Sequence, residues 1–379
     1  MAVSVLHVCD KFGVRGSSIH GVSRLFSWWF PRYDRARFRV GLVGLKAPEE
    51  ASRLLAAEGI HVEHLGRGRF DPRLLTDLVR VARRREARVL HVHGYAAADF
   101  GRLAARRAGA ALVLHEHFAD PALPRYQAWA DRLLAPLTDR AIAVSASTRD
   151  FLVRQRHVPA DRVRLIWNGA PLREFASPTA GARARVRAET GLPEEALVVG
   201  TIGRLSEQKG HRTLLDAAAR VLAALPAARF LVVGDGDLEG ALREQAARLG
   251  IAGAVVFAGH RRDVPDVLSA LDVFCIASNY EGTPLSLFEA MAAGQAIVST
   301  AVDGCREVLT DGVDGLLAAP RDAPGLAEAL VRVLRDADLR ARLAAAARLA
   351  SARYDIETCV RQMEALYDEV LAERKARVA

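Results

Sequence analysis

The sequence predicts an α/β protein of two doubly wound domains that face each other across a cleft. A chain of 379 residues exceeds what one compact core usually holds, so two domains are expected. Short apolar strand patterns alternate with helical patterns, as in parallel sheets with right-handed crossovers. After a charged segment the same alternation starts again. Ligands of such domains bind at the carboxyl ends of the strands, so both carboxyl edges should face the cleft.

The alternation sets the domain boundaries. The first series of strand patterns ends at the turn 168–171, which assigns residues 1–171 to an N-terminal Rossmann-like domain. The looser, charged segment 173–195 precedes the second series, and residues 172–355 form a C-terminal Rossmann-like domain. Residues 356–379 predict an amphipathic helix that caps either domain or bridges both.

The amino-acid composition limits which classes of binding partner and which compartment are expected. The formal charge of +8 is an excess of arginine and could attract nucleic acid, an anionic membrane or a phosphorylated substrate. Nucleic acid is the weakest of the three because no helix-turn-helix, zinc-finger or aromatic RNP pattern is present. Four widely spaced cysteines indicate a reducing compartment. With no signal-peptide pattern at the N-terminus and no long apolar run, a cytoplasmic protein is expected.

An aromatic cluster lies among arginines at residues 24–39. Phe26, Trp28, Trp29 and Phe30 favour core packing, and a lipid-facing edge is the alternative. The alternative implies peripheral contact with an anionic membrane, at its inner face.

Two carboxylates eight residues apart, Glu281 and Glu289, stand beside a small-residue turn and an apolar helical run. Along a helix this spacing is about 12 Å, too far to chelate one small ion but suited to the two ends of an elongated polar ligand. The helix N-terminus between them favours an anion, so the ligand should bear phosphate. A solvated surface helix is the alternative.

In each of the two series of strands, one glycine-containing loop follows the first strand. In the first, Gly13, Gly16 and Gly21 would let the backbone approach a phosphate or sugar, although a flexible surface turn fits equally well. The second loop begins at Gly203. In it, Arg204 could bind a diphosphate through two parallel hydrogen bonds, and Lys209 could add a positive point charge beside it. A solvated loop is the alternative there.

These motifs together resemble the retaining GT-B glycosyltransferases of family 4. The resemblance spans nearly the whole chain and rests on the loop 203–210, the turn 233–236, the Glu-x7-Glu pattern, and first-domain matches at residues 20–24, 91–94 and 166–169. It implies a GT-B architecture and a final helix, 356–379, that crosses back onto the N-terminal, acceptor-side domain. The C-terminal domain would then hold the donor.

The resemblance also implies roles for single residues. Arg204 and Lys209 would bind the donor diphosphate, Glu281 the sugar hydroxyls and Glu289 the ribose. His117 matches the active-site histidine, although strand periodicity leaves His115 as an alternative. The loop that contains Arg261 would hold the base. The backbone expected to contact phosphate and sugar is that of Gly282, Thr283, Pro284 and Leu285.

Three positions depart from the family pattern. His20 replaces the first glycine of a Gly-Gly pair, and Asp303 precedes Gly304 where a second Gly-Gly pair is usual. The sequence Asp235-Gly236-Asp237 imitates a metal-binding DxD motif but lies in the family's turn, so we interpret it as a turn. Two H-x-H strand ends, at residues 91–93 and 115–117, could converge on zinc, but without cysteine or carboxylate partners at the usual spacings we expect no metal site.

The resemblance therefore implies a metal-independent, retaining enzyme without a cofactor. It would move a sugar from a nucleotide-diphosphate sugar, a UDP- or GDP-sugar, to a hydroxyl of a glycan, a lipid-linked acceptor or a small molecule. Two alternatives share the architecture: a UDP-sugar 2-epimerase and a non-catalytic binder of nucleotide sugars or polysaccharide. Sugar, base, acceptor and oligomeric state stay open at this point.

Overall fold

The computed structural model describes residues 2–13, 21–120 and 122–378 of the chain. These residues form two compact units. The N-terminal unit comprises the described residues up to Asn168 and the segment from Ile356, and the C-terminal unit comprises Gly169–Asp355. Each contains one parallel sheet flanked by helices, which confirms the predicted α/β class with two Rossmann-like domains.

The N-terminal unit has a seven-stranded sheet in the order β3-β2-β1-β4-β5-β6-β7. Its central strands are apolar and buried on both faces, as parallel strands covered by helices must be. The elements are β1 (Val3–Cys9), α1 (Gly21–Trp29), β2 (Phe38–Gly44), α2 (Glu50–Ala57), β3 (Val62–His64), α3 (Arg73–Arg84), β4 (Val89–His93), α4 (Tyr95–Ala108), β5 (Ala111–Glu116), α5 (Arg125–Leu134), β6 (Arg140–Ala143), α6 (Ala146–Arg154) and β7 (Val163–Leu165).

The C-terminal unit has a six-stranded sheet in the order β10-β9-β8-β11-β12-β13. Strand order reverses beside β8, so the loops after β8 and β11 lie at the switch point where doubly wound sheets bind ligands. The elements are α7 (Leu172–Phe175), α8 (Ala182–Glu189), β8 (Val198–Ile202), α9 (His211–Ala224), β9 (Arg229–Val233), α10 (Glu239–Arg248), β10 (Val255–Phe257), α11 (Val264–Ser269), β11 (Val273–Ile276), α12 (Leu285–Ala292), β12 (Ala296–Thr300), α13 (Asp303–Arg306), β13 (Leu316–Ala318), α14 (Ala323–Arg335) and α15 (Ala337–Ser351).

The charged segment 173–195 contains two short stretches of helix, and most of its residues are exposed. Within it, α8 buries Val186 and the charged side chain of Arg187. The Arg187 guanidinium donates to the carbonyl oxygens of Ala270 (3.0 Å) and Ala196 (2.9 Å) and to Asp272 (2.9 Å). Arg187 is thus one charged residue of this segment that lies in the core, and its sequence does not distinguish it from a solvated arginine.

The last helix, α16 (Ile356–Val378), belongs to the N-terminal unit and contacts α1 and β5. Its apolar side is buried, and its Tyr367 hydroxyl lies 3.0 Å from the Tyr33 hydroxyl and 2.6 Å from Nδ1 of His91. On its polar side, Glu364 accepts from the backbone N–H of Asp34 at 2.7 Å. The chain therefore returns to complete the core of the unit in which it began.

Helix α5 buries its polar side and exposes its apolar side. Asp131 is fully buried and binds two buried arginines: Arg102 NH1 donates to it at 2.6 Å, and Arg156 donates through Nε at 2.9 Å and NH2 at 3.0 Å. Arg156 also pairs with Glu116, the residue before His117. This cluster fixes the end of β5, where the candidate active-site histidine is located.

Asp131→Ala should lower the free energy of unfolding of the N-terminal unit by about 3–5 kcal/mol, because two buried guanidinium groups lose their carboxylate. Asp150→Ala is a matched control, since its pair with Arg154 is exposed and spans 3.6 Å, and should cost less than about 1 kcal/mol. Urea unfolding followed by tryptophan fluorescence measures both, because all four tryptophans lie in this unit. Equal unfolding free energies would contradict the prediction.

Candidate functional site

The loop after β8 places a cation at the carboxyl edge of the C-terminal sheet. Gly210 ends this loop with φ +62°, and a Cβ there would lie 2.0 Å from the carbonyl oxygen of Ala277 at the end of β11. Only glycine lets these two backbones meet. Asn279 strengthens the contact by donating its N–H to the carbonyl oxygen of Gln208 at 2.8 Å. Lys209 is thereby held beside the loop that follows β11.

Lys209 forms a nearly buried ion pair with Glu281. Its Nζ donates to Glu281 Oε1 at 2.6 Å, and Ser278 Oγ donates to the same oxygen at 2.7 Å. The side chain of Glu281 is 6% exposed and that of Lys209 is 22% exposed. A carboxylate that is desolvated and held by two donors has a fixed orientation.

Arg204 lies at the start of the same loop. One NH2 group approaches Gln208 Oε1 at 3.4 Å, and Gln208 in turn reaches Glu281 Oε2 at 3.4 Å. Its buried Nε has no hydrogen-bond partner among the residues that the structure describes. Such an unused charged donor is costly to bury and indicates a ligand. The structure thus brings Arg204, Lys209 and Glu281 together.

The turn 282–285 is held by a second glycine contact. Gly304, at the start of α13, donates its N–H to the carbonyl oxygen of Glu281 at 3.3 Å, and a Cβ on it would lie 2.1 Å from the carbonyl oxygen of Gly282. This contact explains why glycine is needed at 304 whereas Asp303 is tolerated. Together with Ser278 and Gln208, Gly304 is a site residue that the sequence did not reveal.

Glu281 and Glu289 do not lie on one helix, contrary to the spacing argument. Helix α12 begins at Leu285, with Pro284 at its N-cap in an extended conformation (φ −69°, ψ 119°), so Glu281 precedes the helix. Glu289 lies inside α12 and is fully buried. Thr283 is also buried, and the first N–H groups of α12 point out of its N-terminus beside the turn.

Arg261 stands apart from this cluster. It pairs with Asp263 at 2.5 Å and Glu189 at 2.8 Å, and these hydrogen bonds raise its pKa. Gly259, in the same loop, accepts from the N–H of Gly234 at 2.8 Å. A base held in this loop would therefore meet backbone rather than the Arg261 charge.

Glycines also join the loops after β8 and β9. Gly203 donates its N–H to the carbonyl oxygen of Val233 at 2.9 Å, and a Cβ on Gly234 (φ +137°) would lie 2.0 Å from the carbonyl oxygen of Gly203. Gly236 and Leu205 meet in the same way. The sequence 235–237 is therefore a turn, as predicted.

The N-terminal unit presents five histidines on one face of its sheet. Parallel register places His7 of β1 opposite His91 of β4, and His93 of β4 opposite His115 of β5. His117 follows directly after β5 and is only partly buried, whereas the other four are buried. His7 was missed because a single strand histidine gives no sequence signal of its neighbours.

The aromatic cluster of α1 covers these histidines. Trp29 stacks on His115 (centroids 5.3 Å apart) and Phe26 meets His93 edge-on (5.1 Å). Phe26, Trp28, Trp29 and Phe30 are all buried. Core packing is confirmed, and a lipid-facing edge at residues 24–39 is wrong.

Of the three glycines predicted in the first loop, Gly13 donates its N–H to Glu49 Oε2 at 2.7 Å, and Gly21 begins α1. Gly16 lies outside the described residues, as does His20.

Burial keeps the four buried histidines neutral. Desolvation lowers the pKa of His7 to about 3 and lowers the pKa values of His91, His93 and His115 well below their usual range. The face therefore offers uncharged donors and acceptors rather than a second cationic patch.

Comparisons with known proteins agree with this architecture. A model of the glycosyl transferases group 1 matches residues 182–350, and a model of glycosyltransferase family 4 matches residues 20–174. A D-inositol 3-phosphate glycosyltransferase of Stackebrandtia nassauensis is 31% identical over 344 residues, which cover 81% of this chain and 76% of the relative. A UDP-Gal:alpha-D-GlcNAc-diphosphoundecaprenol alpha-1,3-galactosyltransferase of Escherichia coli is 28% identical over 276 residues, 70% and 71% of the two chains.

Among solved structures, HepE of Anabaena in complex with UDP-glucose is similar with a TM-score of 0.82 and 25% identity, over 98% of this chain and 99% of that one. The two Rossmann-like units and this similarity show a GT-B architecture. The chain belongs to the group 1 glycosyltransferases of family 4, and it is an enzyme of that class.

The N-terminal unit should lose stability as the pH falls below about 6.5. Its buried histidines have lowered pKa values when folded, so below the unfolded value of about 6.5 only the unfolded chain binds protons. The free energy of unfolding should then fall by up to about 1.4 kcal/mol per pH unit for each buried histidine. Urea titrations followed by tryptophan fluorescence between pH 7.5 and about 5 measure this slope.

The exposed His61 supplies the control for that titration, since His61→Gln should leave the slope unchanged and His7→Leu should reduce it. An unfolding free energy that stays constant over this pH range would show that the histidines are not buried as neutral groups.

Proposed function

We propose that the protein is a retaining glycosyltransferase that, without a metal ion or other cofactor, moves a sugar from a nucleotide-diphosphate sugar to an acceptor hydroxyl. The observation that carries the proposal is the Lys209–Glu281–Ser278 arrangement beside the N-terminus of α12. It places a cation, an oriented carboxylate and the first backbone N–H groups of a helix together at the switch point of a parallel sheet.

The proposed chemistry is stabilisation of the leaving group. As the glycosidic C–O bond breaks, negative charge develops on the nucleoside diphosphate, and Lys209 and Arg204 are positioned to stabilise it. Glu281 would orient the sugar through its hydroxyls, and Glu289 would bind the ribose. Glu281 is held by Lys209 and Ser278 and does not face a second carboxylate across the glycosidic bond, so the arrangement of a glycoside hydrolase is not favoured. Attack of the acceptor on the same face of the sugar is favoured instead.

In the N-terminal unit we assign the active-site role to His117 rather than His115. His115 is 1% exposed and lies within β5, whereas His117 follows the strand end and is partly exposed. Only His117 can meet a substrate without disruption of the core.

The named relatives support the proposed substrates. One is named for a UDP-Gal donor and a diphosphoundecaprenol acceptor, and HepE is described with UDP-glucose. We therefore propose a UDP-sugar, with a GDP-sugar as the second choice, and a glycan or lipid-linked acceptor. The four cysteines are all buried and none forms a disulfide in the described part of the chain, which supports a reducing, cytoplasmic compartment.

Lys209→Ala and Glu281→Ala should each lower transfer at saturating donor by about 10²–10³-fold, because each removes a group that stabilises or orients the departing diphosphate and sugar. A thermal-shift panel of UDP-, GDP-, ADP- and TDP-sugars should first identify the donor, since binding to the folded state stabilises it. Release of nucleoside diphosphate with an acceptor then measures transfer.

The matched controls for these variants are Lys46→Ala and Glu328→Ala, two exposed residues that should leave transfer unchanged. Near-wild-type turnover of both active-site variants would refute the assignment. Conversion of the donor sugar with no acceptor present would instead indicate an epimerase.

We further propose that the enzyme contacts an anionic membrane through the outer face of α5. This face exposes Trp129 (69%), Leu133 (72%) and Tyr126 (43%), and Phe70 (72% exposed) packs against Tyr126 with centroids 5.5 Å apart. Because the polar side of α5 is buried, its apolar side has no place in the core. No helix of the described chain is long and apolar enough to cross a bilayer.

The charges around this face fit anionic lipid. Arg69, Arg125 and Arg132 are exposed, and Arg69 lies over the rings of Tyr126 and Tyr95. None of the three forms an ion pair with a residue that the structure describes. Aromatic and aliphatic side chains ringed by unpaired arginines are the composition of interfacial membrane contacts.

The double variant Trp129→Ser/Leu133→Ser should lose co-flotation with vesicles that contain phosphatidylglycerol, whereas wild type should float with them and not with neutral phosphatidylcholine vesicles. Leu349→Ser, which removes an 81% exposed leucine from α15, is the control and should float as wild type does. Flotation of the double variant would contradict the proposal. So would dimerisation of wild type without vesicle binding, which would assign the face to a second copy.

A further inference from the structure

Three arginines lie close together between β3 and the start of α3, and one of them has no carboxylate partner. Arg67 donates to Asp77 at 2.9 Å, and Arg73 donates to Asp71 at 2.8 Å. Arg69 is exposed, and within the described part of the chain it forms no ion pair and donates no hydrogen bond. Because an exposed arginine can also be satisfied by water, its surroundings decide whether it belongs to a site.

Two tyrosine rings hold the guanidinium group of Arg69. Its Cζ lies 5.5 Å from the centroid of the Tyr95 ring and 5.7 Å from the centroid of the Tyr126 ring. Such contacts attract the cation to the rings but leave its N–H donors without an oxygen acceptor. A side chain that is already held loses less conformational entropy when it binds an anion.

The charges on the buried side of Tyr95 are already balanced. Arg156 also lies over the Tyr95 ring, with its Cζ 5.1 Å from the centroid. Unlike Arg69, Arg156 is paired with two carboxylates, those of Glu116 and Asp131. The exposed arginine over this ring therefore contributes a positive charge that the buried cluster does not neutralise.

Two further carboxylates lie near Arg69, and both are engaged elsewhere. Asp10 accepts from two of the first N–H groups of α4, at 3.0 and 2.5 Å, and Asp120 accepts from the Tyr95 hydroxyl at 2.7 Å. Burial raises the pKa of Asp10, and the positive charge of Arg69 opposes this rise. Arg69 is therefore close enough to act on Asp10, but it forms an ion pair with neither carboxylate.

These contacts place Arg69 at the carboxyl edge of the N-terminal sheet. Its loop follows β3, Tyr95 begins α4 just after β4, and Asp10 follows β1 directly. The carboxyl ends of parallel strands meet at one edge of a sheet, which is where doubly wound units bind ligands. His117, which follows β5, lies at the same edge.

The exposed apolar face of α5 adjoins Arg69. Tyr126, over which the guanidinium lies, is the first residue of this face, and Phe70 packs against the Tyr126 ring with centroids 5.5 Å apart. Trp129 and Leu133 continue the face at helical spacing. An anion bound by Arg69 would therefore lie between an apolar surface and the carboxyl edge of the sheet.

We infer that Arg69 binds the phosphate of a lipid-linked acceptor, whose lipid chain lies against the exposed face of α5 and whose sugar lies at the carboxyl edge of the N-terminal sheet. A guanidinium group suits this task because it can bind a phosphate through two parallel hydrogen bonds. The inference rests on the proposed transfer to a lipid-linked acceptor and on the proposed membrane contact of α5.

A phospholipid headgroup offers the same phosphate chemistry. Arg125 and Arg132, which make no ring contact in the described part of the chain, are suited to this less specific attraction. Arg69 differs from them because the two tyrosine rings fix its position.

Calorimetric titration with farnesyl diphosphate, a lipid diphosphate without a sugar, tests the site without any turnover. Wild type should bind this probe more tightly than it binds farnesol or inorganic pyrophosphate. Arg69→Gln should weaken binding by about 10- to 100-fold, because hydrogen bonds between a cation and the phosphate are lost. Arg69→Lys, which keeps the charge but not the paired donors, should give an intermediate affinity.

Three results of this titration would overturn the inference: no binding of farnesyl diphosphate to wild type, equal affinities of wild type and Arg69→Gln, or equal binding of farnesol or pyrophosphate.

Arg106→Gln is the matched control, because it removes an exposed arginine from the last turn of α4, at the opposite end of that helix from Tyr95. It should leave the affinity for farnesyl diphosphate unchanged. Lys209→Ala tests whether the probe occupies the donor site instead, and this variant should also bind the probe as wild type does. Loss of binding in Lys209→Ala but not in Arg69→Gln would assign the probe to the donor site and overturn the inference.

Flotation with vesicles that contain phosphatidylglycerol separates the acceptor from bulk phospholipid. Arg69→Gln should still float, because the apolar face, Arg125 and Arg132 remain. The double variant Arg125→Gln/Arg132→Gln should float less than wild type and bind farnesyl diphosphate as wild type does. A parallel loss of flotation and of farnesyl diphosphate binding in both variants would assign Arg69 to phospholipid headgroups and overturn the inference.

Failure of this inference and failure of the proposed function give different results. A protein that binds farnesyl diphosphate through Arg69 but transfers no sugar would overturn the proposed function and leave the phosphate site standing. An active enzyme in which Arg69→Gln leaves the KM for a lipid diphosphate acceptor unchanged would overturn the phosphate site alone.

Discussion

The ion pair between Lys209 and Glu281 is the interaction on which the carboxyl edge of the C-terminal unit depends. It forms only because Gly210 lets the loop after β8 meet the end of β11, and because Gly304 supports the turn after Glu281. A charged pair this far from water is stabilised only when both partners keep their geometry and further hydrogen bonds, which Ser278 supplies. A ligand that brings phosphate to Lys209 and hydroxyls to Glu281 replaces one set of satisfied charges by another, at little cost in desolvation.

The histidine face at the corresponding sheet edge of the N-terminal unit is uncharged rather than cationic. Its sheet end carries four imidazoles that burial keeps neutral, and the charged cluster next to β5, Asp131 with Arg102 and Arg156, is buried. The two units therefore differ in what they favour: a cationic edge suits an anionic diphosphate, and an uncharged face suits hydroxyl groups.

The sequence predicted those features that short-range patterns encode. The predicted alternation of strands and helices is present in both units, and the apolar side of α16 is buried as the periodicity indicates, since both follow from short-range side-chain patterns. Features that depend on distant partners were out of reach. The need for glycine at 304 comes from the backbone of Gly282, and the neighbours of His7 come from strand register.

Helix α5 is a second feature that sequence periodicity does not predict. Periodicity expects its apolar side to be buried, but Arg102 and Arg156 bind Asp131 and keep the polar side buried instead. The helical interpretation of Glu281 failed because Pro284 caps α12 instead of continuing a helix that has already begun.

The return of α16 to the N-terminal unit has a consequence for biosynthesis. Residues 169–355 form a contiguous unit that is synthesised before α16, whereas the unit made first lacks Tyr367, Met363 and Glu364 until α16 has been synthesised. The nascent N-terminal segment must wait, with its histidine face and the hydroxyl of Tyr33 incompletely covered, while the later unit forms. Loss of even the last few helical turns, through a premature stop codon or proteolysis, would therefore damage the beginning of the protein rather than its end.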